Sequence, residues 1–104
     1  MAWNAISALR PSTVQTVAST STSTTTTNAV GAQTYCVRLV CNAACHFKVV
    51  EAAGATAATT DSFLPANWVD YVMVSPGQKI SAIRASSAGL VTATDGTLFV
   101  TEMT

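Results

Sequence analysis

Charge is what this chain has least of. Only 10% of its 104 residues are Asp, Glu, Lys or Arg, where a globular domain usually carries about a quarter. Five acids (Glu51, Asp61, Asp70, Asp95, Glu102) balance five bases (Arg10, Arg38, Lys48, Lys79, Arg84) and leave a formal net charge of zero. No block of like charge exists, so the chain lacks the footprint of a nucleic-acid binder, which must neutralise several phosphates at once. Long apolar runs are missing too: nothing approaches the ~20 residues of a membrane-spanning helix, and no membrane partner is expected. Met1-Ala2-Trp3-Asn4-Ala5-Ile6 has no basic start leading into an apolar run, so it does not read as a secretory signal. The small Ala2 suits removal of Met1, and synthesis in a reducing cytoplasm is the expectation.

Catalytic vocabulary is equally thin. His46 is the single histidine, and nothing titratable is placed beside it by spacing. It reads as a strand residue with a satisfied ring. Glycine-rich phosphate loops, nucleophile elbows, H-E-x-x-H and helically spaced carboxylate pairs are all missing. Asp61 and Asp95 fall at turn positions, where Asp bonds its own backbone. A non-enzyme without catalytic residues or cofactor is expected. Three cysteines, Cys36, Cys41 and Cys45, cannot all pair within one chain. With His46 they suggest zinc, but their gaps of four and three residues are not the usual C-x-x-C. Buried free thiols are the preferred reading. A contact or disulfide between Cys36 and Cys45, placed on neighbouring strands, and a metal site are the alternatives.

What the chain does have is small apolar and β-branched residues. Hydrophobic residues make up 49% while aromatics supply only 7%. A chain of this length can bury roughly 60–65% of its unfolded surface, enough for one core. Low charge with so much apolar surface suits a protein covered by neighbours better than a free monomer.

From Gln33 onward the pattern is strand, turn, strand. "QTYCVRLV" sets Tyr35, Val37 and Leu39 against Cys36, Arg38 and Val40, and "HFKVVE" alternates likewise across a turn near Asn42. Together they read as a hairpin. "ATAATTD" reads as a polar edge-like strand, and "FLPANW" as a turn or edge, because Pro65 cannot donate to a ladder. "WVDYVMV" is the strongest strand, with Val69, Tyr71 and Met73 on one side and Trp68, Val72 and Val74 on the other. "SPGQ" is a turn with Pro76 presetting φ and Gly77 accepting a positive one. "KISAIRA" and "LVTAT" follow as strands, Asp95-Gly96 as a tight-turn pair, and "TLFVTEM" as the last strand. Seven to eight short antiparallel strands at this spacing predict an all-β chain, a small jelly-roll-like β-sandwich.

The first thirty residues differ. "AWNAISALR" could begin a helix, but Pro11 ends it within about two turns, which is marginal in water. Residues 1–12 are expected to be an arm that orders on a partner, with Trp3, Ile6, Leu9 and Arg10 as candidate partner-binding residues. "VASTSTSTTTTNAV" is mostly Thr, a good strand former rather than a disorder former. Residues 13–27 are therefore expected to form the first strand of a single domain spanning 13–104.

The order of motifs carries a resemblance. "CHFKVV", then a Thr/Asp segment, "LPA", a strand, a Pro-Gly turn, "ISAI" and a terminal "GTLFVTE" resemble small virion proteins of tailed bacteriophages. The similarity covers about Cys36 to Thr104, and its order rather than any one motif is specific. Such a resemblance implies a β-sandwich capsid decoration, or cement, protein that binds the major capsid protein and stabilises the shell. It also implies a virion location and a homo-oligomer, with a trimer at a local three-fold axis as the expected assembly. A tail or head–tail connector component, or a virion-borne host-surface or glycan-binding module, is the alternative. No nucleic acid, cofactor or metal is expected to take part.

Overall fold

A computed structural model of the chain describes residues 10–51, 56–85 and 94–104. Within them lie eight strands: β1 (Pro11–Ser19), β2 (Thr24–Thr25), β3 (Cys36–Cys41), β4 (Cys45–Val50), β5 (Ser62–Leu64), β6 (Val69–Met73), β7 (Lys79–Arg84) and β8 (Gly96–Met103). They form two antiparallel four-stranded sheets, ordered β1-β8-β3-β6 and β2-β7-β4-β5. The fold is the expected all-β sandwich. Its strand orders are those of a jelly roll, a long antiparallel ribbon (β1 with β8, β2 with β7, β3 with β6, β4 with β5) wound so that each successive strand except β5 changes sheet.

That winding corrects the expected β3–β4 hairpin. Both strands are present, but β3 pairs with β6 and β8 while β4 pairs with β5 and β7. The link at 42–44 is an arch between sheets. Period-two alternation is the same on either side of an arch or a hairpin, so the pattern could not tell them apart. Among the described residues, β4 and β5 are the one consecutive pair that shares a sheet.

The Ser/Thr stretch also divides. One strand over 13–27 becomes β1 in one sheet and the short β2 in the other. Between them, Thr20 and Thr24 hydroxyls both donate to Thr22 O (3.2 and 3.3 Å), a local alternative to ladder bonding that turns the chain. β1 begins at Pro11, two residues ahead of the expected strand start, and Arg10 continues its ladder by exchanging main-chain bonds with Thr104, both 2.8 Å.

Residues 56–61 form no strand, so the expected edge strand there gives way to β5 at Ser62. Gly77 has φ 91°, as the Pro-Gly turn requires, and Gln78 N–H closes that turn on Ser75 O. Gly96 is not a turn residue. It opens β8 without a positive φ, and its role is close approach, because a Cβ there would lie 2.5 Å from Asn42 Oδ1 and 2.7 Å from Ala43 Cβ. Gly54, most of "LVTAT" and the candidate N-terminal helix lie outside the described residues.

The core fills the space between the sheets. Val17, Val37, Leu39, Leu98 and Val100 face Phe47, Leu64, Ile80 and Ala82, closed by Val30 and Val74 from the loops. Each Leu or Ile so buried contributes about 1.5–3 kcal/mol of transfer free energy. Buried Glu102 ties one end together: its Oε1 accepts from Thr34 Oγ1 (2.5 Å) and Gly31 N–H (3.0 Å).

Candidate interaction surface

The two outer faces of the sandwich differ. On the β2-β7-β4-β5 sheet the Ser/Thr stretch and residues 56–61 supply polar cover. Ser81 Oγ lies 2.8 Å from Ser23 Oγ and accepts from Thr25 Oγ1 (3.2 Å), while Ala57 N–H donates to both Ser23 Oγ and Ser81 Oγ. Asp61 Oδ2 accepts from Ala58 N–H (2.7 Å), the local turn bond expected of it. His46 donates through Nδ1 to Asp61 O (3.0 Å) and packs its ring on Phe63 at 5.3 Å, so it is a satisfied strand residue.

On the β1-β8-β3-β6 sheet the outward Thr101 and Met103 are buried, while Val14, Phe99 and the outward residues of β6 stay exposed. Register aligns its outward residues in rows across the four strands: Thr16, Phe99, Val40, Val69, then Val14, Thr101, Arg38, Tyr71. Met103, Cys36 and Met73 begin a third row. Met73 is 85% exposed, Tyr71 59%, Val14 55%, Val69 48% and Phe99 43%. Together these five residues expose on the order of 500 Å² on one face. That is the upper end of what a soluble monomer shows, and such patches mark interaction sites. One charge sits among them. Arg38 is half-buried between Thr101 and Tyr71 in its row, and its Nε is buried without a hydrogen-bond partner among the described residues.

The strand expected to be strongest, β6, is the edge of this sheet. Alternation correctly grouped Val69, Tyr71 and Met73, and burial now shows that this group faces outward while Val74 is buried. Of the expected partner-binding residues, Trp3, Ile6 and Leu9 lie outside the described residues, and Arg10 is exposed at the start of the β1 ladder. The signal that pointed to the face instead was the apolar side chain at every outward position of β6.

Among the described residues, Tyr35, Trp68 and Tyr71 do not assemble into one stacking platform. Tyr35 sits beside Val74, whose N–H it accepts, while Trp68 lies at the opposite end of the β3–β6 pair, six residues or about 20 Å away. Tyr71 lies on the other side of the strand from Trp68.

The cysteines stand as free thiols. Cys36 lies on the outer face, so it cannot meet Cys45 in the core. Cys41 and Cys45, at the two ends of the arch, meet instead. Acceptance of the Cys45 S–H draws Cys41 down to about 6, against burial, which pushes it up. The Ser19 hydroxyl, 3.5 Å away, and the N–H groups of Ala43 and Asn42 add to the lowering. Cys45, the donor, is pushed up. Among the described residues no group of three or more His, Cys, Asp or Glu converges as a metal site would require.

Comparison with protein-family models, with curated proteins and with solved structures finds no match to this chain.

Proposed function

We propose that the protein is a virion structural protein of a tailed bacteriophage, a capsid decoration (cement) protein that binds the major capsid protein and stabilises the shell. The observation that carries the binding role is the set of exposed apolar side chains Val14, Phe99, Val69, Tyr71 and Met73 on the outer side of that sheet. An exposed sheet face suits an extended protein surface better than a small ligand, which prefers a concave site. Jelly rolls host viral capsid domains among other functions, an analogy at the level of fold alone. The resemblance in motif order is what suggests a phage virion. Repetition supplies the affinity: many copies on a symmetric shell hold firmly through individually weak contacts.

The fold also hosts lectins. The separation of Tyr35, Trp68 and Tyr71 gives no observation in favour of that second reading. The deciding experiment is the copy number relative to the major capsid protein in purified virions, by quantitative mass spectrometry. A ratio of one to one, or one to a small integer, is expected. A dozen copies or fewer per particle would move the protein to the neck or tail, and its absence from particles would overturn the reading.

A further inference from the structure

The free edge of β6 carries more than exposed side chains. Val74 N–H donates to Tyr35 O at 3.0 Å just beyond the strand. Antiparallel ladders alternate exchange pairs with non-bonded pairs, so the exchange pairs continue as 37/72 and 39/70. The N–H and C=O groups of Val69, Tyr71 and Met73 therefore point away from β3, toward an edge that no described strand covers. Natural sheets guard such edges with Lys, Pro, a bulge or an inward charge. Val69, Tyr71 and Met73 carry none of these, and the single charge on β6 is Asp70, on its inner side.

We infer that β6 pairs with the β6 of a second copy, antiparallel about a two-fold axis at Tyr71. The two four-stranded sheets then become one continuous sheet of eight. In this register Tyr71 exchanges both main-chain bonds with its own counterpart, and each Val69 does so with the other copy's Met73, giving about six bonds. Neighbouring registers are worse. Sliding toward Trp68 sets Asp70 against Asp70, like charges directly opposite, and draws in Asn67, whose φ of 61° ends the strand and whose N–H is already given to Cys41 O. Sliding the other way runs the pairing into Ser75, past the end of β6. The chosen register sets Asp70 against Val72 and Trp68 against Val74.

Exposed apolar side chains cluster along the same edge. Trp68, Val69, Tyr71 and Met73 account for four of the eight exposed large hydrophobics and all lie along this one edge. Edge pairing covers the flank of these side chains against the second copy and leaves their outer side open. A two-fold axis across a shared sheet is isologous and closes, so the assembly stops at two. It also keeps both apolar outer faces on the same side. Only that last consequence, a doubled face for the shell, rests on the function proposed above.

The test needs no shell. Sedimentation equilibrium of the wild-type chain is expected to give twice 10.7 kDa. Tyr71→Pro removes an N–H that only the second copy would use, leaving the β3 ladder untouched, and Tyr71→Lys places two ammonium groups at the axis. Each should weaken dimerisation more than about tenfold while far-UV circular dichroism stays unchanged. Amide exchange on the wild-type chain gives an independent reading: Val69, Tyr71 and Met73 amides should be protected in the dimer along with Val72 and Val74. A monomer at every concentration, a trimer, or a dimer whose Val69, Tyr71 and Met73 amides exchange freely would overturn the inference. Shell attachment by a monomer would leave the proposed function standing without it, and a dimer missing from virions would do the reverse.

Discussion

Replacing Gly96 by Ala should be among the most damaging single-methyl changes in this protein. The added Cβ would lie 2.5 Å from Asn42 Oδ1, 2.7 Å from Ala43 Cβ and 3.1 Å from Ala43 N, all on the arch between β3 and β4. That arch is held to β8 by two bonds, Thr97 N–H to Asn42 Oδ1 (2.8 Å) and Asn42 N–H to Thr97 O (3.3 Å). The Asn42 side chain can swing aside, but only by releasing Thr97. Ala43 is fixed to the backbone and cannot. Overpacking of this kind costs about 1–3 kcal/mol, and the lost hydrogen bond adds about 1 kcal/mol. The smaller entropy of the unfolded Ala chain offsets about 0.4–1 kcal/mol. A net loss of about 2–3 kcal/mol should lower the thermal midpoint by roughly 10–20 °C at this chain length. Equilibrium urea unfolding followed by far-UV circular dichroism measures it. Asn42→Ala alone should cost about 1 kcal/mol, and in that background Gly96→Ala should cost less, because one of its three close contacts is gone. An alanine at 96 within about 0.5 kcal/mol of wild type would refute the packing of the arch on β8.

Two further changes probe the polar parts of the core. Glu102→Ala strands the hydroxyl of Thr34, which is 1% exposed, and the Gly31 N–H. It should cost about 2–4 kcal/mol by urea unfolding, while Glu102→Gln keeps the acceptor and costs about 1 kcal/mol; equal losses would mean the carboxylate is not the acceptor drawn here. The thiol pair predicts a pH dependence. Cys41 is lowered from 9.0 to about 6 in the fold, so between those values the unfolded state binds more protons and stability rises with pH. That contribution is lost as pH falls through about 6. Cys45 is raised, so its contribution is full below 9 and declines above. Under reducing conditions the wild type should gain on the order of 1–3 kcal/mol from pH 6 to 9 relative to Cys41→Ala, and a difference that stays flat with pH would sink the assignment.

Strand positions were legible because side chains report which face they occupy. "CVRLVC", "KISAIR" and "TLFVTEM" alternate as β3, β7 and β8 do. What alternation cannot report is the partner. Cys41 to Cys45 looks the same whether the chain doubles back in one sheet or crosses to the other, because both leave the inward residues inward. The decision is made by long-range pairs such as Val37 with Glu102. Gly96 misled for a related reason: Asp-Gly is strong local turn chemistry, while the demand that put a glycine there comes from Asn42 and Ala43, more than fifty residues earlier. The Thr-rich stretch reads as one strand, and the structure keeps only the end of β1 and Thr24–Thr25 of it in strands. Its switch of sheet depends on Thr22 O accepting two hydroxyls, a geometry any Ser/Thr run could offer at several places.

The interaction surface was legible in half. Val69, Tyr71 and Met73 fall on one side of β6 by period alone, but apolar residues on both sides of a strand are the usual mark of a central, doubly buried one. Here β6 is an edge, and the second apolar side is bare. This joins two facts that composition left separate, the low charge and the 49% hydrophobic content. The polar residues the chain does have are spent inward or on one face: Ser23, Thr25 and Ser81 on the second sheet, Thr34 and Glu102 in the core. Little remains for the first sheet, so its exposed apolar surface follows from the allocation of a small polar complement. Outward side chains and free main-chain groups belong to the same three residues of β6. A partner that covers the face and a copy that extends the edge therefore meet at Tyr71. Changes there should disturb both, whereas changes at Val14 or Phe99, on strands away from that edge, should disturb the face alone.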